Sequence, residues 1–405
     1  MNILFMTTGT FNSINEKSIY PDLLREFKNH NHQVYVVSSN ERRLGKKTEY
    51  INEDGAHLLR VKIGNLTKTN VIEKGFSTLK IEGQYKKAIK RYLCDIKFDL
   101  IIYSTPPITL VGAINYIKNK NNAWTYLLLK DIFPQNAVDI GMIKKRGVKG
   151  FLYKYFRNKE KKLYSISDKI GCMSNANVNY VINHNPEINP LDVEVCPNCI
   201  EIIDKSISDE IKCKIRTKYN IPLNKKVFVY GGNLGKPQGV PFLIKCLEKC
   251  ENLNSVFFLV VGNGTEYRRL EEYRNNSKQK NFLLMSRLPK EDYDSMVGAC
   301  DVGMIFLDHR FTIPNYPSRM LSYMQAKLPI LACTDSNTDI GKNIISGGFG
   351  WWCESDDENE FRNIVEIINN VSSYEFECMK KASFQYLCEN YSSELSYNII
   401  MKHMK

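Results

Sequence analysis

The sequence predicts an α/β protein made of two Rossmann-like domains whose parallel sheets face a common cleft. Three observations predict it. The chain has 405 residues, 43% of them apolar and 25% charged, enough for two or three cored domains and too apolar for global disorder. Strand-like apolar runs alternate with helical spacing through the first half, the pattern of a parallel sheet covered by helices. Near residue 220 that alternation starts again. The expected division is one Rossmann-like domain over 1–200, a second over 201–373, and a helical, aromatic tail over 374–405 packing back toward the first domain.

Each element follows from local pattern. Residues 2–6 (NILFM) read as a short buried strand. Ile19, Leu23, Leu24 and Phe27 recur at helical spacing. Residues 33–38 (QVYVVS) and 100–103 (LIIY) read as strands, 124–129 as a further apolar run, and 171–174 continues the series. The hinge is expected within 186–224. The second series opens with the strand 226–230 (KVFVY), which ends in Gly231-Gly232 and leads to a helix reaching Cys250. Strands follow at 256–261, 281–285, 302–307 and 329–333, with helices through Arg274 and across 292–300.

Composition excludes several classes. The longest apolar runs are about six residues, as in 256–261 (VFFLVV), whereas a spanning helix needs about 20. Residues 1–6 are too short for a signal-peptide core and lack a basic start, so a cytoplasmic protein is expected. Twelve cysteines without a secretion signal imply reduced thiols. The only CxxC spacing, Cys196-Pro-Asn-Cys199, has no partner pair to complete a zinc site. The six histidines form no H-x-x-x-H pair. No metal or cofactor is therefore expected.

The net charge of +12 is distributed unevenly. Residues 1–200 hold 30 basic and 18 acidic side chains, and residues 201–405 hold 26 of each. Two segments carry the excess: 68–91, with seven basic and two acidic residues, and 144–162, with nine and one. Clustering of this kind points to an anionic surface. In the second segment Val148, Phe151, Leu152, Tyr155 and Phe156 lie at helical spacing among lysines, a basic amphipathic helix suited to an anionic bilayer. The plain alternative is a packed helix with a solvated lysine face. Nucleic acid is not expected, because no reader module is present.

Motifs fall at the strand ends, where parallel sheets bind ligands. The stretch 231–239 (GGNLGKPQG) follows a strand and precedes a helix; its glycines let backbone amides approach a phosphate, and Lys236 adds a charge. Against this stands an ordinary glycine-rich turn with a solvated lysine. The stretch 308–323 (DHRFTIPNYPSRMLSY) turns at Pro314 and Pro317 and places Ser318 and Arg319 in the first turn of a helix. Arginine is unfavourable there unless an anion lies between it and the helix start; otherwise it faces water. Gly262-Asn263-Gly264, Ser286-Arg287-Leu288-Pro289 and Gly347-Gly348-Phe349-Gly350 follow as weaker candidates for the cleft floor, a base contact and a loop closing on a sugar. In the first half, Gly9 and Thr10, Arg42 and Arg43, Thr105 and Asp131 occupy strand-end loops. Asp131 is the best-placed proton-handling carboxylate, unless it caps a helix before Phe133.

With these motifs in place, the chain resembles a family 4 glycosyltransferase of the GT-B fold. The nearest likeness is to bacterial O-antigen, capsule or exopolysaccharide enzymes, the fucosaminyltransferase-like group among them. The resemblance is strongest over 226–350. It implies a nucleotide-sugar donor, UDP-linked, and a polyprenyl-diphosphate-linked saccharide acceptor. It also implies retention of configuration and a peripheral position on the inner face of the membrane. Donor contacts would fall on Gly232, Asn233, Gly235, Gln238, Gly262, Arg287, Leu288, Ser318 and Ser322, and acceptor contacts on Gly9, Thr10, Arg42, Arg43 and Thr105. Asp131, Arg319 and Lys236 would carry the chemistry. Two departures from the family pattern stand out. Asn233 and Gln238 replace the usual Arg and Lys, and Ser322 replaces a ribose-binding glutamate. They keep two rivals open: a non-catalytic nucleotide-sugar-binding protein, and a nucleotide-sugar epimerase.

Overall fold

The computed structural model describes residues 1–67, 69 and 71–404, without the side chains of Val71, Ile72, Val148 and Lys149. The chain forms two compact units. One comprises Met1–Glu201 with Ser393–Lys405, the other Ile202–Ser392.

The first unit is built on eight strands: β1 (Asn2–Met6), β2 (Gln33–Glu41), β3 (Glu49–Glu53), β4 (Ala56–Ile63), β5 (Leu100–Ser104), β6 (Trp124–Leu129), β7 (Lys169–Cys172) and β8 (Val193–Val195). Their order is β3-β4-β2-β1-β5-β6-β7-β8. Only the β3–β4 pair is antiparallel. The central strands are buried along almost their whole length, which explains why they read as unbroken apolar runs. β3 (EYINE) is a polar, partly exposed strand that apolar runs do not reveal. It joins β4 through Asp54-Gly55, both at positive φ, a favoured geometry for a tight hairpin turn. A helix over Val71–Tyr92 covers most of the first basic segment. Cys196 and Cys199 are free and buried, and burial pushes the Cys199 thiol up to about 12, so neither is a reactive thiolate.

The second unit holds β9 (Lys226–Asn233), β10 (Val256–Asn263), β11 (Phe282–Met285), β12 (Val302–Phe306), β13 (Ile330–Thr334) and β14 (Gly350–Glu354). All are parallel, in the order β11-β10-β9-β12-β13-β14. β9 therefore lies between β10 and β12, and the loops leaving these three strands share one sheet edge. The expected sugar-closing loop at 347–350 is packed structure instead. Gly347 ends the helix Ile340–Ser346, and Gly350 opens β14 opposite Ile330.

The tail expected as one element is two helices in different units. Ser373–Asn390 belongs to the second, where Tyr391, the residue just after it, shares a hydrogen bond with Tyr316. Ser393–Met401 belongs to the first. There Tyr397 packs edge-on against Phe27 and its hydroxyl lies 3.1 Å from His32 Nε2. Among the described residues no helix is long and apolar enough to cross a membrane.

Candidate donor and acceptor sites

The second unit concentrates the candidate donor residues at the ends of β9, β10 and β12. Gly232 has φ +117°, a conformation open mainly to glycine. Gly262 is required by close approach, because a Cβ there would overlap the Gly232 carbonyl oxygen. The β9 and β10 turns thus rest on each other, and Leu234 N–H donates to Asn263 O at 3.0 Å.

The turn is more self-contained than a phosphate cradle requires. Gln238 Oε1 accepts from Gly235 N–H and from Asn233 Nδ2, each at 3.2 Å. Asn233 and Gln238, which stand where the resemblance led one to expect cations, are thus hydrogen-bonded to each other, and the Gly235 amide is occupied. Lys236 is exposed at the first position of the short turn Lys236–Gln238.

Arg319 opens the helix Arg319–Gln325, which has only seven residues and no side-chain cap. The helix dipole is therefore a smaller factor than the spacing suggested. The guanidinium faces inward: its Cζ lies 4.3 Å from the Tyr230 ring centroid, and Nη1 is enclosed with no hydrogen-bond partner. A Cβ on Gly232 would stand 3.9 Å from that same Cζ, so Arg319 lies directly against the glycine turn. The acid in its own segment, Asp308, is already taken by Arg310 through two bonds of 2.7–2.8 Å. That pairing holds the Asp308 carboxyl below its usual range against the opposing effect of burial.

The other donor candidates are less engaged. Ser318 is exposed and caps nothing. Ser322 Oγ donates to Arg319 O at 2.9 Å, so its proton is committed to its own helix and only its lone pairs remain for a ligand. Arg287 is exposed and Leu288 half-buried in the loop after β11.

Sequence reasoning missed two features. Tyr230, Tyr293 and Tyr323 lie beside Arg319; Tyr323 follows it by about one helical turn, a spacing that was legible in the sequence but was given no role. Asp335, just past β13, is only 3% exposed, and its Oδ2 has no partner. Burial pushes its carboxyl up to about 6.

In the first unit, Thr105 and Asp131 come together. Thr105 Oγ1 donates to Asp131 O at 3.2 Å and accepts from the Lys130 and Asp131 amides. Its hydroxyl thus ties the β5 and β6 loops and is not open to an acceptor. Asp131 does not cap the following helix, which starts at Gln135 after Pro134. Instead both carboxylate oxygens accept from Asn136 Nδ2, at 2.8 and 2.7 Å. Burial outweighs these bonds and pushes the carboxyl up to about 6, where it changes protonation near neutral pH.

Gly9 and Thr10 are exposed, and Gly9 N–H turns back onto Thr7 Oγ1. The two arginines are already compensated: Arg42 pairs with Glu73 at 2.6 Å and Arg43 with Glu41 at 2.9 Å. Arg42 nonetheless lines a cavity of about 640 Å³ with Lys62, Phe76, Ser77 and Lys80.

The basic segments carry exposed apolar side chains. Phe151 is 79% exposed and Leu152 46%, while Tyr155 and Phe156 are half-buried. Phe76 and Leu79 protrude from Val71–Tyr92 in the same way. The Val148 and Lys149 side chains, and Lys68 altogether, lie outside the described residues.

Residues 212–375 match the family model of glycosyl transferases group 1. That stretch lies inside the second unit and takes in all six of its strands. The chain is 23% identical over 303 residues to WbjE of Pseudomonas aeruginosa, named as a glycosyltransferase, covering 74% of this chain and 72% of that protein. It is 24% identical over 208 residues to WcaI of Escherichia coli, named as a colanic acid biosynthesis glycosyl transferase, covering 51% and 49%. Among solved structures, sucrose-phosphate synthase of Thermosynechococcus elongatus superposes with a TM-score of 0.75 at 14% identity, covering 100% and 98% of the two chains. Anabaena Alr3699/HepE in complex with UDP-glucose superposes with a TM-score of 0.71 at 13% identity, covering 100% and 99%. The fold is GT-B, and the matches indicate a glycosyltransferase enzyme. Nothing in them singles out the fucosaminyltransferase-like group.

Proposed function

We propose that this enzyme moves a sugar from a UDP-linked donor to a lipid-linked saccharide during bacterial surface-polysaccharide synthesis. The donor binds the second unit and the acceptor the first. The observation that carries the reading is Arg319, an inward-facing cation with an unpartnered Nη1 against the Gly232 turn. Breaking the bond between a sugar and a diphosphate puts growing negative charge on the leaving group, and a cation preorganised there stabilises it. Lys236 adds a mobile second charge. Asp131, poised near pH 6, is the proton-handling carboxylate, and transfer retains configuration without a metal ion. The relatives named for glycosyl transfer and colanic acid synthesis support the pathway class, and the neighbour holding UDP-glucose supports the donor class.

The exposed lysines and apolar side chains of 68–91 and 144–162 seat the enzyme on the anionic inner face of the membrane, where a polyprenyl-diphosphate-linked acceptor resides. The test is acceptor-dependent release of UDP from a panel of UDP-sugars in the presence of membrane extract. Binding of a UDP-sugar without release of UDP returns the reading to the non-catalytic binder; release without an acceptor is hydrolysis to water and overturns acceptor transfer; interconversion of the free donor returns the reading to the epimerase.

A further inference from the structure

Arg319 is a cation that its surroundings hold without neutralising. Tyr230 presents its ring face to the guanidinium at 4.3 Å, and its own hydroxyl is anchored by donating to Asn233 O at 2.9 Å. Tyr323 is anchored twice: its hydroxyl accepts from Gly231 N–H at 3.0 Å and donates to Met304 O at 3.1 Å, bridging β9 and β12. The Tyr293 hydroxyl fills the space beside Gly231 that a Cβ would occupy. Burial raises all three phenols, Tyr293 to about 12, against the opposing pull of the arginine's charge. All three are therefore neutral at physiological pH. A carboxylate in their place would orient the arginine but cancel its charge. An aromatic face attracts the cation and leaves the charge available.

We propose that Tyr230, Tyr293 and Tyr323 form a neutral aromatic cradle that positions Arg319 for the donor diphosphate. They are positioning residues: they act through Arg319 and touch no reacting atom. The cradle rests on the reading of Arg319 as the diphosphate-binding cation. It implies that an anion settling on Nη1 completes an unfinished hydrogen-bond set.

The test measures UDP affinity by calorimetry on the full chain. It compares the wild type, Tyr230→Phe, Tyr230→Leu, Arg319→Ala and the Tyr230→Leu/Arg319→Ala pair. Phenylalanine keeps the ring face, so Tyr230→Phe should bind within about threefold of wild type. Leucine removes the face, and UDP should bind roughly 5- to 30-fold more weakly. In the Arg319→Ala background the leucine substitution should add no further loss, because the tyrosine acts only through the arginine. Equal losses in both backgrounds would make Tyr230 purely structural and overturn the cradle, as would full affinity in Tyr230→Leu. Should Tyr230→Leu not fold, the same cycle with Tyr230→Met, which also lacks the ring face, decides in the same way. A wild type that binds neither UDP nor inorganic pyrophosphate overturns the donor reading itself. A wild type that binds UDP with flat tyrosine variants overturns only the cradle.

Discussion

Replacing Arg319 with alanine separates function from stability more cleanly than any other change in this protein. On the stability side two effects oppose each other. The variant loses the contact with the Tyr230 ring, worth about 0.5–2 kcal/mol. It also removes an enclosed donor with no partner, whose desolvation costs about 1–3 kcal/mol. The balance is near zero, and for a domain of this size about 1 kcal/mol moves Tm by roughly 2–4 °C. On the functional side the loss is one-directional. A charge-assisted bond to a diphosphate is worth about 1.5–3 kcal/mol, which corresponds to about 10- to 150-fold in kcat/KM. Because leaving-group charge grows toward the transition state, kcat should fall along with donor affinity. Arg319→Lys should recover only part, since a lysine cannot fork onto two phosphate oxygens. The assay pairs a melting curve with initial rates of UDP release. An alanine variant that melts several degrees early and loses activity in proportion would show a structural arginine. One with undiminished turnover would place the diphosphate elsewhere.

Four further outcomes are expected. Asp131 has a folded-state pKa raised to about 6 from an ordinary 3.8, so the folded state holds its proton more tightly than the unfolded one, and the resulting stability is complete below about pH 4 and lost as pH rises through 6. Asp131→Asn should accordingly melt higher than wild type at pH 7, by about 1–3 kcal/mol, and converge with it near pH 4; a constant difference across pH would locate the cause elsewhere. Gly232→Ala, at φ +117°, should cost about 1–3 kcal/mol of stability as well as donor affinity, and a variant as stable as wild type in urea would contradict the strain. Changing the exposed Lys144, Lys145 and Lys154 to glutamate should abolish co-sedimentation with anionic vesicles, at about 1 kcal/mol per basic residue near the surface, while leaving the melting curve in place; undiminished sedimentation would make the segment an ordinary solvated helix. Sugar transfer should survive EDTA, and loss of activity restored by magnesium or manganese would refute a site built from protein cations alone.

The sequence by itself determined the local layer of this protein. Apolar runs located the buried parallel strands because strands covered on both faces need no polar side chains. Glycines at 231–235 and 262–264 marked turns because only they permit such backbone approach. The Ser318-Arg319 helix start was legible from Pro317 before it. What the sequence left open depends on strand order and on pairings distant along the chain. β9 neighbours β12 across two intervening strands, and that crossover alone brings Tyr230 under Arg319 and Tyr323 onto Gly231; no periodicity encodes it. The same holds for Arg42, expected to meet an acceptor, which folding pairs with Glu73; the partner of Arg43, Glu41, stood two residues away in the sequence. The division of the tail at 390–393 was equally hidden, because both halves are helical and only the surface each one meets assigns it to a unit. Periodicity reports which face of an element is buried. The partner on that face is chosen by the tertiary structure, and that choice leaves Arg319 with a charge that no carboxylate among the described residues pairs with.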